Sequence, residues 1–162
     1  MKPTVYIETS IISYLTARPS RDLITAAHQQ LTHEWWMKVR PKVDCFISEP
    51  VIQEAGRGDQ EAAQKRLAVT VRIPTLILNE EIKELALKYQ AAAQIPEKAK
   101  LDAFHLALPA WYKVDYLLTW NCKHIANGNV RRIIENINKP LNIHTPIICT
   151  PEELMEIERY VG

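Results

Sequence analysis

Three acids, an amide and a set of hydroxyls occupy places in this sequence where chemistry can be done. Glu8 closes "VYIE", Glu54 lies in "VIQEA", Asp102 in "KLDAF" and Asn121 in "LTWN", with Thr9, Ser10 and Thr119 beside them. Carboxylates that crowd together raise one another's pKa unless a cation holds them ionised. A donor set made of oxygens suits Mg2+ or Mn2+. An ion held by Glu8, Glu54 and Asp102 would polarise a phosphoryl oxygen and acidify a bound water, which is metal-assisted phosphodiester hydrolysis. Thr9 or Ser10 would hydrogen-bond to the carboxylates or to a phosphate, and Thr119 shares their edge of the sheet. Asn121 would orient the attacking water or serve as a neutral ligand. His105, one helical turn after Asp102, is close enough to steady a carboxylate, but that is the less expected of its roles. Each residue also has a plain structural role: Glu8 as the cap of a helix starting near Ser10, Glu54 as a solvated helix residue, Asn121 as a turn residue. Their joint placement favours chemistry.

That placement comes from an alternation of short β-rich runs with longer helical ones. Strands are expected at 4–7, 44–48, 71–74, 115–119 and 145–150. Helices are expected at 21–40, with Leu23, Ala27, Leu31 and Trp35 recurring every fourth residue, and at 49–55, 59–70, 80–93, 98–112, 128–139 and 151–158. Pro50 is tolerated in a first turn, and Asn79 caps a helix that begins with acidic residues. Strands separated by helices imply parallel pairing, hence a three-layer α/β/α sandwich with a parallel five-stranded sheet. In such sheets the ligand crevice lies beyond the carboxyl ends of the strands, where Glu8 and Asn121 stand.

The 162 residues form one expected domain, 1–162, with no linker and no internal repeat. Hydrophobic residues at 47% and charged ones at 24% describe a globular chain rather than a disordered one. With four glycines there is neither GxGxxG nor GxxxxGK[ST], which argues against dinucleotide and P-loop chemistry. No GxSxG or Asp-x-Asp strand end supports a phosphatase or α/β-hydrolase reading. The absence of a long apolar run argues against a signal peptide or membrane span. Cys45, Cys122 and Cys149 lack CxxC spacing and are expected to be reduced, packed thiols of a cytoplasmic protein. A net charge of +1 leaves room for a local basic face. Lys123, Arg131 and Arg132, just past Asn121, are the expected RNA phosphate contacts. Trp120 is expected in the core or stacked on a base, and His124 in a structural or surface role. "IISYL" (11–15) and "WW" (35–36) suit the core or an interface equally.

On these motifs the sequence resembles the PIN domain, the nuclease fold of VapC-type toxins. "VYIETSIISYL" resembles that family's first motif, "ISEPVIQEAGRGD" its second, with Glu54 at the acidic position. "KLDAFHLALPAWYKVDYLLTWN" resembles the third and fourth, with Asp102 and Asn121. The resemblance covers nearly the whole chain. It implies a Mg2+- or Mn2+-dependent ribonuclease, a homodimer and inhibition by a cognate antitoxin. Three departures stand out: Glu8 where most of the family has Asp, Asn121 in place of an acid, and Pro109 inside the third-motif helix. The neutral Asn121 and longer Glu8 keep open a rival reading, a weakened PIN-like module that binds RNA or protein without cutting.

Overall fold

The computed structural model describes residues 1–156. Its order is β1 (Thr4–Ile7), α1 (Thr9–Thr16), α2 (Leu23–Lys38), β2 (Asp44–Ser48), α3 (Glu49–Ala55), α4 (Gln60–Thr70), β3 (Thr75–Leu76), α5 (Glu80–Ala92), α6 (Lys100–Trp111), β4 (Tyr116–Leu118), α7 (Gly128–Leu141) and β5 (Ile147–Cys149). The five strands are all parallel, in spatial order β3-β2-β1-β4-β5, with helices on both faces. This is the expected three-layer α/β/α sandwich.

Strand β1 is central, and Val5, Tyr6 and Ile7 are fully buried, as a parallel strand covered on both faces requires. The chain leaves it toward β2 and β3 on one side, then returns to build β4 and β5 on the other. The order therefore reverses between β1 and β4. Open α/β sheets place their crevice at that switch point.

Among the described residues, side-chain caps start every α-helix but α6. Glu8, Asp22, Ser48, Asp59, Asn79 and Asn127 each accept a backbone N–H from the first turn, satisfying a donor the helix cannot. In α2 the repeat of fours does not mark the buried face, since Leu23 stays 85% exposed. A spacing of four drifts by about 40° per step around a helix of 3.6 residues per turn. Gln29, Thr32 and Trp35 form the buried stripe instead. Ile11, Ile12 and Trp35 are core residues, while Trp36 packs beneath the Arg40 guanidinium.

Two expected elements differ. The third strand lies at Thr75–Leu76, not 71–74. Val71 still has helical backbone, Ile73 N–H turns back to the Thr70 carbonyl, and Pro74 has no N–H to give a ladder. Its carbonyl does accept from Ile47, and pairing proceeds from there. The expected helix at 151–158 is a run of turns over 151–156, and its last two residues lie outside the described residues. Here Glu153 reaches back to Thr150 and across to Arg131. Pro109 does not end α6, which runs two residues beyond it.

Candidate active site

Glu8 follows β1 and Thr119 follows β4, so the two flank the switch point. Their strands are tied there by the Glu8 N–H donating to the Leu118 carbonyl at 3.1 Å. Glu8 is both a cap and part of the cluster. Its Oε2 accepts the Ser10 N–H at 3.1 Å, while Oε1 accepts the Ser10 hydroxyl at 2.5 Å and the Thr119 hydroxyl at 2.6 Å. Only 5% of the side chain is exposed. Three donors compensate a carboxylate that would otherwise be costly to bury.

Glu54 comes from α3, which Ser48 starts directly at the end of β2. Its Oε1 accepts the Thr9 hydroxyl at 2.8 Å and pairs with His105 Nε2, while no hydrogen bond among the described residues engages Oε2. One atom each from Glu8, Glu54 and His105 lie within 4.8 Å of one another. The His105 ring, on α6, is fully buried, and its Nδ1 is 2.8 Å from the Tyr6 hydroxyl. Tyr6 in turn shares a 2.7 Å hydrogen bond with Ser48 Oγ.

The electrostatics of this pair agree. Burial works against a charged imidazole, but the Glu54 hydrogen bond and the charges of Glu8, Glu54 and Asp102 outweigh it and raise the His105 pKa. Burial likewise works against an ionised Glu54, yet the hydrogen bond and charge of His105, the Thr9 hydroxyl and Arg57 lower its pKa. Both shifts favour the ion pair. Tyr6 moves well above the ordinary phenol value, chiefly by burial, and stays protonated.

Asp102 sits one turn before His105 on α6. Its Oδ2 is 2.7 Å from His124 Nδ1, and its own side chain is 13% exposed. His124 rides on the turn after β4, which Asn121 caps: Asn121 Oδ1 accepts the His124 N–H at 3.0 Å, and its own N–H donates to Thr119 Oγ1 at 2.9 Å. Asn121 therefore commits an oxygen to the turn and keeps its amide NH2 free of protein hydrogen bonds among the described residues.

Of the residues singled out from sequence, Glu8, Ser10 and Thr119 form one hydrogen-bonded group and Glu54 and Thr9 another, with the His105 ring between them, paired with Glu54 and 4.0 Å from Glu8 Oε2. Asn121 joins the first group through Thr119, and Asp102 reaches Asn121 through His124, outside the group of Glu8, Glu54 and His105. Lys123 and Arg132 are exposed, whereas Arg131 donates to the Ile148 carbonyl at 3.1 Å and to Glu153 at 3.3 Å. Arg131 lines an open groove of about 750 Å3 along α7 and β5 with Lys139 and Ile147, and none of the clustered carboxylates lines it. Trp120 is core: its ring stacks on His28 at 4.0 Å and its Nε1 donates to Thr32 at 2.7 Å. The three cysteines are free thiols. Sequence reading missed Tyr6 and Ser48, because a hydroxyl inside an apolar strand and one at its end look like packing and a turn. The link from His124 to Asp102 carried no sequence signal.

The donor set fits a hard divalent ion. Among the described residues Glu54 Oε2 accepts no hydrogen bond, Glu8 Oε2 accepts one, and Asp102 Oδ1, on the adjoining turn of α6, accepts none. His105 spends both nitrogens inside the protein, so the ligands left over are oxygens.

No protein-family model and no curated protein matches the chain by sequence. Among solved structures, it is similar to VapC20 of Mycobacterium tuberculosis, described as a toxin that cleaves the sarcin-ricin loop. Identity is 17% and the TM-score 0.54 over 70% of this chain and 86% of that one. The tyrosyl-tRNA synthetase of Archaeoglobus fulgidus, in complex with L-tyrosine, aligns at 11% identity and a TM-score of 0.48, over 91% of this chain and 54% of that one. At such identities the likeness concerns architecture alone, and the architecture is that of a PIN-like α/β/α domain.

Proposed function

We propose that this protein is a divalent-metal-dependent endoribonuclease that hydrolyses RNA phosphodiester bonds, acting as the toxin of a toxin–antitoxin pair. The observation that carries the reading is the convergence of Glu8 and Glu54, from separate elements, at the switch point of the sheet, with Asp102 on the next helix face. Glu8, Glu54 and Asp102 hold Mg2+ or Mn2+, which supplies the Lewis acidity and the acidified water that phosphodiester hydrolysis needs. The chain's own groups do the rest. Ser10 and Thr119 fix the Glu8 carboxylate, and Thr9 fixes Glu54. Asn121 builds the turn that sets His124 against Asp102, and its free NH2 offers a donor to water or to a phosphate oxygen. Lys123 and Arg132 draw the RNA backbone toward the crevice, and Arg131 stiffens the start of α7 beside them. A cytoplasmic homodimer held in check by an antitoxin completes the proposal. No helix among the described residues is long and apolar enough to cross a membrane.

The second reading, a PIN-like module that binds RNA or protein without cutting, draws on Asn121, whose oxygen serves a turn. Cleavage of a fluorogenic RNA, with chelator and with Mn2+ added back, separates the two. Chelation should abolish activity, Mn2+ should restore it, and Asp102→Ala should remove the rescue while leaving the melting curve cooperative. Cutting in excess chelator, or no Mn2+-dependent stabilisation at all, would overturn the nuclease.

A further inference from the structure

The buried hydrogen-bond chain behind the cluster has no packing rationale. Ser48, Tyr6 and His105 are each fully buried, on β2, β1 and α6. Apolar side chains of similar size would fill the same space without polar groups to satisfy. The chain does not end in the core; it ends on Glu54.

Its direction follows from which groups can give a proton and which can only accept one. The Glu54 carboxylate can only accept, as it does from the Thr9 hydroxyl, so His105 Nε2 carries the proton between them. That leaves Nδ1 to face the Tyr6 hydroxyl, which donates to a bare nitrogen or accepts from a protonated one. Ser48 Oγ complements Tyr6 in both arrangements, since a hydroxyl gives and receives. It also accepts the Val51 N–H at 3.4 Å, which fixes it to the first turn of α3, the helix that bears Glu54. The two ends of the chain are thus anchored on one short helix, and the ring is clamped between them.

We propose that Tyr6, backed by Ser48, is a positioning residue: it fixes the His105 ring so that Nε2–H stays on Glu54 Oε1 and Glu54 Oε2 remains available to a cation. The proposal rests on the metal reading for its purpose, but not for its geometry. Groups that orient ligands from behind change metal affinity by roughly 10–100-fold when removed.

The test uses Tyr6→Phe, which keeps the ring and deletes the hydroxyl, with Ser48→Ala as a second probe of the same chain. Mn2+ affinity measured by calorimetry should fall by about tenfold in Tyr6→Phe, and in the same direction but less in Ser48→Ala. Made in a His105→Leu background, Tyr6→Phe should change Mn2+ affinity no further, because Tyr6 acts only through the ring. A role confined to stability would lower the melting temperature and leave affinity alone. In the metal-free protein, proton NMR should show a downfield, exchange-protected His105 Nε2–H that loses protection in Tyr6→Phe. Equal protection in wild type and Tyr6→Phe overturns the proposal, as does an undiminished Tyr6→Phe effect in the His105→Leu background. Should the wild type bind no Mn2+, the nuclease reading fails, and the Nε2–H resonance still decides the positioning.

Discussion

Glu54→Gln gives the sharpest test of how the cluster balances its charge without metal, because two accounts of it predict opposite signs. If the cluster were simply crowded carboxylates, neutralising one would relieve repulsion and stabilise the chelated protein. The structure instead gives Glu54 two donors, Thr9 and His105, and shifts both members of the His105 pair toward the charged state. A glutamine oxygen keeps both donors but turns charge-assisted bonds into neutral ones. Each exchange costs about 1 kcal/mol, or about 2 kcal/mol for the two. For a chain of this length that is about 4–8 °C in melting temperature.

The pH dependence has a definite sign. His105, with its raised pKa, contributes stability that is fully present below the ordinary imidazole value of 6.5 and is lost as pH rises through its folded value. Glu54, with its lowered pKa, contributes stability present above the ordinary 4.5 and lost as pH falls through its folded value. Both operate together between pH 4.5 and 6.5. The Glu54→Gln penalty should be largest there and shrink at alkaline pH, once His105 has lost its proton. Thermal melts in EDTA from pH 4 to 9 read this directly. A Gln variant more stable than wild type at pH 6 would refute the ion-pair account.

Thr119→Val should cost about 2 kcal/mol in urea titrations, because buried Glu8 loses a donor and the Asn121 N–H loses its acceptor; a cost under about 0.5 kcal/mol would show that Ser10 alone suffices. Lys123→Ala combined with Arg132→Ala should weaken single-stranded RNA binding in chelator and reduce the slope of log K against log salt by roughly 1.4. An unchanged slope in filter binding would remove both residues from the RNA path. Tyr89→Phe, which takes the phenol off buried Asn138, should lower stability by about 1 kcal/mol and leave Mn2+ affinity untouched. Parallel losses of both would mean that metal affinity merely tracks global stability.

Local chemistry made much of this legible in the sequence. Strands β1 and β2 and helix α3 fall where alternation and Pro50 place them, since each is written in a few consecutive residues. The third strand was misplaced because β-branched Val71 reads as strand out of context, while the end of α4 claims it. In the site, acids at strand ends were visible because topology gives those positions meaning. The partners that tune them were not: Tyr6 and His105 meet across 99 residues, and His124 and Asp102 across 22. Nothing in the local sequence of Tyr6 or His124 reports such a partner.

The central position of β1 has a consequence for the order of events in folding. The first strand of the chain joins the two halves of the sheet, yet its own pairing is completed late: β2 joins it about 40 residues on, β4 about 111. Glu8 meets the Thr119 hydroxyl across 111 residues, so loop closure on that scale precedes the finished crevice. A ribosome-bound chain that has emerged only through α5 holds Glu8 and Glu54 but lacks the ring between them and the hydroxyl beside them. The crevice is thereby a late product of synthesis, and a chain cut short before β4 carries acids without a site.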